Sequence, residues 1–479
     1  MTILTCVFTY LALSGSAFAQ LAGKVKKNEF PAFPMTEMGK TLQTSLVLDA
    51  SWRWIHNKGG YTNCYDQSWN KQFCPDPVTC AKNCELEGVD LKDYKDIYGV
   101  TTSGNSATLK YVTGSNVGSR LYVLDEDKKR YKGFNLVNRE LVYDIDMSQV
   151  PCGVNGALYF VEMPLDGGLN DLNRAGAPYG TGYGDAQCTL LKYVNGFVNL
   201  NNTGACSIEM DVSETNAHAT AFTPHSASIY GKPMRGVYPC LNDKDCGRGN
   251  NRFVCVADMN GADYNPYRLG DRTLYGKGSQ FRVNSEKPYR AITQFITQDG
   301  TDNTDIVMMR RIYEQDGKII DGGFLTSEVI QKHKDEYNEP NTFELHGGWK
   351  TMTESFKSSN KMTFVISLWD DEATGMNWLD ATTGTGPGSV RGPCDAAKGK
   401  DVATLRRTVP NSQYTISNLQ VRAITNYPSI SPSPVPSPSK PTPSSPKPSP
   451  TPSAPVPSPS VPASGSFKIQ CKECVFEEL

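Results

Sequence analysis

The chain has 479 residues, 38% of them hydrophobic, and a formal net charge of −2. That length can bury a large core, and the even charge balance leaves no electrostatic footprint for nucleic acid or an anionic membrane as partner. Glycine (42 residues), tyrosine (23) and Asn-rich turns outweigh any long helical pattern, which predicts a β-rich fold.

Residues 3–19 form an apolar run ending in Ala17-Phe18-Ala19 before Gln20, a small-x-small cleavage pattern, so 1–19 reads as a signal peptide and the chain as secreted and extracellular. A transmembrane anchor is the competing reading, but it asks for about 20 apolar residues. Of the 14 cysteines, Cys6 leaves with the signal and an odd number stays, several closely spaced: Cys64, Cys74, Cys80 and Cys84, then Cys240, Cys246 and Cys255. No pair of CxxC units or neighbouring histidines completes a zinc site, so disulfides in an oxidising compartment fit better, with at least one thiol left free or paired to another molecule.

Short runs of alternating character follow in chain order. In DASWRWIH, Trp52 and Trp54 stand two apart and share a face on a strand. LVYDIDM (141–147) puts Leu141, Tyr143, Ile145 and Met147 on one side. Asn155 and Tyr159 share a face in GVNGALYF, as do Asp185 and Gln187 in YGDAQC. MTFVISLW (362–369) sets Phe364, Ile366 and Leu368 against Val365, Ser367 and Trp369, and LQVRAI sends Leu419, Val421 and Ala423 one way. Period-two runs broken by Gly, Asn and Asp predict an antiparallel sandwich in one large domain, 20–427. A second face collecting Trp, Tyr, Asn and Gln suits a sugar chain, whose CH groups pack on aromatic rings while its hydroxyls find amides. Simple burial of the same tryptophans is the alternative.

ACSIEMDVSETN (205–216) crowds Glu209, Asp211 and Glu214 into one predicted strand. Like charges so close raise one another's proton affinity. On a regular strand Glu209 and Asp211 point one way and Glu214 the other; one extra residue, a β-bulge, returns Glu214 to their face. Two carboxyls about 5–5.5 Å apart are the machinery of a retaining glycosidase. A calcium site, which wants more oxygen ligands on a looped backbone, and a solvated acidic strand are the alternatives.

From 428 to 465 proline and serine take over, with 15 of the 31 prolines between 428 and 462. That linker has nothing apolar to bury and is expected to be disordered and extended, with roughly 100 Å of reach. A short tail, 466–479, follows it.

LDASWRWIH, TNCYD, CAKNC, YGVTTSGNS, SRLYVL, PCGVNGALYF, YGTGYGDAQC, EMDVSETN, TPHS, NPYRLG, SLWDD, WLD and SVRGPC run in order along nearly the whole domain. With these stretches the chain resembles glycoside hydrolase family 7, secreted cellulases acting on β-1,4-glucan. The resemblance implies a curved antiparallel β-sandwich (jelly roll) whose long loops roof a concave cleft, with cellulose and cello-oligosaccharides as partners and no cofactor or metal; a monomer is expected. It makes Glu209 the nucleophile, Glu214 the general acid/base, Asp211 the residue that orients and tunes Glu209, and His225 a neighbour of the leaving-group sugar. Trp52, Trp54, Trp369 and Trp378 match stacking platforms. Asn155, Tyr159, Asp185 and Gln187 match polar contacts near the cleavage point, and Arg252, Arg268 and Arg391 match arginines on the product side.

The resemblance also implies the bridges Cys64–Cys84, Cys74–Cys80, Cys152–Cys394, Cys188–Cys206 and Cys240–Cys246, with Cys255 stranded and able to compete for Cys240 or Cys246. Against the family pattern, Ser213 replaces a tryptophan, Gly184 and Ser207 stand where one bonded pair would be, and Glu85 replaces a cysteine. SLWDD, LGDRTLYGKGSQF and ATTGTGPGSVRGPC resemble the cellobiohydrolases, which cut cellobiose from reducing ends inside a tunnel. NGFVNLNNTGAC and CGRGNNRFVC are trimmed, which points towards the open cleft of an endoglucanase. The reading is a cellobiohydrolase with a less enclosed tunnel. A catalytically dead sugar-binding protein is the remaining alternative, against which the intact Glu-Asp-Glu set argues. The sequon Asn201-Asn202-Thr203 lies in the shortened loop, where a glycan would partly rebuild a roof.

Overall fold

Alternation along the strands sorts their side chains between an interior and an outer face. The computed structural model describes residues 21–359 and 361–426. The expected signal peptide (1–19), linker (428–465) and tail (466–479), with Cys471 and Cys474, lie outside the described residues.

Two large sheets make a curved antiparallel β-sandwich. The first runs Thr220–His225, Glu209–Thr215, Val154–Val161, Met362–Asp370, Ser119–Leu124, Ser45–Leu48, with Gly133–Phe134 also paired to Met362–Asp370. The second runs Lys40–Leu42, Met35–Glu37, Gln413–Ala423, Arg139–Asp146, Tyr289–Thr297, Ile306–Gln315, Lys318–Leu325. The pairing is antiparallel except where Met35–Glu37 meets Gln413–Ala423 in parallel.

The interior takes one residue of every two from each strand. Leu141, Tyr143, Ile145 and Met147 reach it from one sheet, and Leu158, Phe160, Phe364, Ile366 and Leu368 from the other. Their alternates, Tyr122, Ala157, Tyr159 and Val365, gather in a separate cluster on the first sheet's outer face. A strand has period two, so this partition is what the alternation in LVYDIDM and MTFVISLW requires. Among the described residues no helix is long and apolar enough to cross a membrane.

Two predicted strand segments fold otherwise. DASWRWIH breaks into a 3-10 turn, Ala50–Trp52, and a short strand, Ile55–Asn57, so Trp52 and Trp54 do not share one strand face. Asp49 caps the turn by accepting from Ser51 N (2.5 Å), and buried Arg53 donates to the carbonyls of Leu48 (3.1 Å) and Glu87 (3.1 Å), pulling the chain out of the ladder. YGDAQC is likewise a loop, in which Asp185 is buried and Gln187 exposed.

All five expected disulfides are present. Cys240 and Cys246 are bonded to each other, and Cys255 is free and buried, as expected of a stranded cysteine; burial pushes its thiol pKa up. Ser207, expected to stand in the place of a bonded cysteine, donates its hydroxyl to the Glu162 carbonyl (2.6 Å).

Candidate active site

The bulge is where the carboxylates require it. Against the neighbouring strand, Leu158 pairs with Ser213 but Tyr159 pairs with Asp211, so Val212 is the inserted residue. The other neighbour agrees: Asp211 pairs with Thr223 and Glu214 with Ala221. Met210 and Val212 go to the interior, while Glu209, Asp211 and Glu214 take the outer face.

Each acid has its own support. Glu209 Oε2 accepts from the backbone N–H of Ala186 (2.9 Å), and His225 stands opposite Glu209 in the ladder. Glu214 Oε1 accepts from Asn155 Nδ2 (3.3 Å), and Asn155 Oδ1 accepts from Thr215 N (3.0 Å). Asp211 Oδ2 meets His225 Nε2 at 2.9 Å, while His225 Nδ1 donates to the Asp258 carbonyl (2.7 Å). Because Nδ1 faces a carbonyl it carries a proton, so the contact between Nε2 and Asp211 holds one further proton.

Burial raises the proton affinity of all three acids well above the ordinary carboxylate range. For Glu209 the nearby charges of Asp211 and Asp185 add to it, for Asp211 that of Asp185, and for Glu214 that of Asp211. Donor atoms of Glu209, Asp211 and His225 lie within 4.8 Å of one another. This is the acid cluster of the site best placed for a cation, but it offers three donors where calcium takes six to eight oxygens.

Around the acids the remaining expected residues fall into three groups. Close to the acids, Tyr159 sits opposite Asp211 with its hydroxyl 3.0 Å from that of Tyr183. Asp185 turns inward: its carboxylate accepts from Thr189 N (3.1 Å) and Thr189 Oγ1 (2.5 Å), so it acts on Glu209 through its charge. Gln187 reaches the Met259 carbonyl (2.7 Å), to which Arg252 also donates (3.5 Å).

The tryptophans divide into two places. Trp369 pairs with Asn155 across the strands, and its ring lies 6.3 Å from that of Trp378, both packed on Ala219, Ala221, Met376 and Leu379. Trp52 and Trp54 belong to the segment after the edge strand Ser45–Leu48. Trp52 donates to the Val117 carbonyl (3.4 Å), and Trp54 donates to Asn63 (2.7 Å) and stacks on His56 (4.0 Å). The third group is cationic. Asp263 pairs with Arg391 (2.9 Å) and with Arg268, which also donates to the Gly388 carbonyl (2.9 Å) and to Glu339 (2.5 Å). Those cations hold the Asp263 carboxyl far below its usual range. Arg252 feels the charge of Arg391 from nearby.

Sequence reasoning passed over two features. Arg120, on the strand beside Tyr122, donates to Asp49 (3.0 Å) and lies 3.5 Å over the Tyr183 ring and 5.5 Å from Trp52. Its place two residues before outward-facing Tyr122 was the available signal. Buried Asp380, in WLD, accepts from Gly153 N (2.8 Å) and Asn216 Nδ2 (2.7 Å), tying down the end of the acidic strand; burial pushes its pKa up to about 6. No sequence pattern signals that pairing.

Comparison with known proteins places this arrangement. The family model for glycosyl hydrolase family 7 matches residues 27–427. A family 7 cellobiohydrolase from Daphnia pulex is 36% identical over 84% of this chain and 99% of its own, with a TM-score of 0.80. A cellobiohydrolase from Melanocarpus albomyces, solved with cellotetraose, is 33% identical over 85% of this chain and 99% of its own, with a TM-score of 0.76. An endoglucanase I solved with cellobiose is 32% identical over 84% and 99%, with a TM-score of 0.72.

Proposed function

The chain belongs to glycosyl hydrolase family 7, and from that premise we propose that it is a secreted cellulase that hydrolyses β-1,4-glucosidic bonds with retention and releases mainly cellobiose from reducing chain ends. The observation that carries this reading is the insertion of Val212, which turns Glu214 onto the face of Glu209 and Asp211. In the first step a Glu209 oxygen bonds to the anomeric carbon as the glycosidic C–O bond breaks, and Glu214 gives its proton to the leaving oxygen. In the second, Glu214 takes a proton from water, whose oxygen displaces Glu209 from the same carbon. The anomeric centre is inverted twice and so retained. Asp211, sharing a proton with His225, stands beside Glu209 and raises its proton affinity.

The proton affinities suit these roles. An acid that donates near neutral pH must keep its proton well above the usual carboxylate range, as buried Glu214 does. Glu209 is raised by burial as well, but it accepts from the Ala186 N–H, which favours its charged form.

Chain-end action is supported by the segment 381–391, which folds back on itself, Thr383 N donating to the Ser389 carbonyl (2.9 Å), and is tied to Arg268 through Gly388. The short hairpin Tyr193–Val194/Phe197–Val198, with exposed Asn201 beyond it, favours the second reading, an endoglucanase. Digestion of crystalline and soluble cellulose separates them. Mostly cellobiose with a slow fall in viscosity is expected; a rapid fall in viscosity with few soluble sugars would replace the proposal by the endoglucanase. Glu209→Gln is expected to abolish hydrolysis while cello-oligosaccharides still bind, and unchanged turnover would refute the assignment of the nucleophile.

A further inference from the structure

Arg311 is among the largest fully buried side chains of the protein, 1% exposed, on the Ile306–Gln315 strand of the sheet opposite the acids. Its charge is surrounded by the tyrosines Tyr143, Tyr313 and Tyr289, and no carboxylate pairs with it among the described residues. A buried guanidinium without a counter-charge disfavours folding unless strong hydrogen bonds offset its desolvation. Arg311 makes two, donating through Nε to Thr293 Oγ1 (3.1 Å) and through its terminal nitrogen to the carbonyl oxygen of Val212.

Val212 is the residue the bulge inserts. It has no register partner on either neighbouring strand and is fully buried, and its carbonyl accepts from Arg311. A buried, unpaired backbone carbonyl is costly, and an extra residue that no bond holds invites the strand to slip back into register. Slippage would return Glu214 to the interior side. Arg311 reaches across the core to that one carbonyl, two residues before Glu214. It also lies 5.2 Å from the ring of Phe222, on the strand that carries His225. Buried Ser213, the residue after Val212, gives the bulge no large side chain of its own as a brace. Tyr143 of the far sheet stands beside both Ser213 and Arg311.

We propose that Arg311 is a positioning residue for the acid/base: by holding the Val212 carbonyl from the opposite sheet it fixes the bulge that aims Glu214 at the leaving group. The proposal rests on the retaining-hydrolase reading above. It predicts a selective lesion. A misaimed Glu214 fails to protonate a poor leaving group and fails to activate water. Glu209 is still anchored by Ala186 and attacks a substrate whose leaving group needs no proton.

The test is Arg311→Met in the full chain, assayed on cellotetraose and on 2,4-dinitrophenyl β-cellobioside, with and without azide. The expected result is a loss in kcat of about 100-fold on cellotetraose with KM little changed, against a loss of less than about 10-fold in the dinitrophenolate burst. Azide restores steady turnover: its nitrogen bonds to the anomeric carbon as the ester bond to Glu209 breaks, giving β-cellobiosyl azide without a general base. Equal losses on both substrates with no response to azide, or kcat within about 2-fold of wild type on both, would overturn the proposal. If Arg311→Met does not fold, Arg311→Lys keeps one donor and is expected to give a smaller loss with the same split and the same azide rescue; an even loss there also overturns it. Wild-type protein inactive on both substrates would instead remove the retaining-hydrolase reading itself, and the proposal with it.

Discussion

Asn155 holds Glu214 from one side: its Nδ2 donates to Glu214 Oε1 at 3.3 Å, while its Oδ1 accepts from Thr215 N, the next residue of the acidic strand, at 3.0 Å. One amide therefore clamps both the carboxyl and the backbone beside it. A donor to a carboxylate stabilises the charged form and lowers its pKa, opposing the burial and the Asp211 charge that raise Glu214. Asn155→Leu removes that donor, so the Glu214 pKa moves further up. The alkaline limb of kcat/KM is expected to shift to higher pH, with kcat lower by about 10-fold from loss of aim. A pH–rate profile on cellotetraose, whose leaving group needs the proton, checks this.

Asp211 acts on both glutamates, raising the proton affinity of Glu209 and of Glu214. Asp211→Asn keeps a polar group for His225 Nε2 and deletes the charge. Both limbs of the pH profile are then expected to move to lower pH together, and the acid limb belongs to the coupled set rather than to Glu209 alone. Potentiometric or kinetic titration of the variant beside wild type reads the shift directly.

The same charges bear on stability. Glu209, Asp211 and Glu214 all have folded-state pKa values raised above those of an unfolded chain. Their contribution is fully present below about pH 4, the unfolded range, and is lost as pH rises through the raised folded values. Glu209→Gln, neutral at every pH, is therefore expected to melt above wild type at pH 7, by about 2–4 °C, with the difference closing towards pH 4. Calorimetry of the two proteins across that range decides it.

On the far side of the acids, Asp263 is shared by Arg391 and Arg268. Arg391 is the less buried of the two, leaving guanidinium donors for a sugar. Arg391→Ala is expected to weaken inhibition by cellobiose by about 10-fold, the loss of roughly one charge-assisted hydrogen bond. Measured inhibition constants for cellobiose check it.

Much of this was legible in the sequence, for a physical reason: side chains on a strand alternate. LVYDIDM and MTFVISLW send Leu141, Tyr143, Ile145, Phe364, Ile366 and Leu368 to the interior and Val365 to the outer face, as period two requires. The spacing of Glu209, Asp211 and Glu214 demanded one extra residue, and Val212 supplies it. Alternation failed where a distant residue bends the chain. Trp52 and Trp54 part because Arg53 bonds the Leu48 and Glu87 carbonyls, the second contact lying 34 residues away in sequence. Gln187 leaves the face of Asp185 because it answers to Met259 on another loop. Arg120 over Tyr183 and Arg311 on Val212 were unreadable for the same reason: each joins segments whose approach only the packed sheets determine.

The central claim, that the kink at Val212 sets Glu209 and Glu214 to work on one bond through a glycosyl-enzyme, is tested most directly by the anomeric form of the first product. Proton NMR of cellotetraose hydrolysis in its first minutes, before mutarotation, is predicted to show newly formed β-cellobiose. Newly formed α-cellobiose would mean a single displacement by water, and would contradict the account.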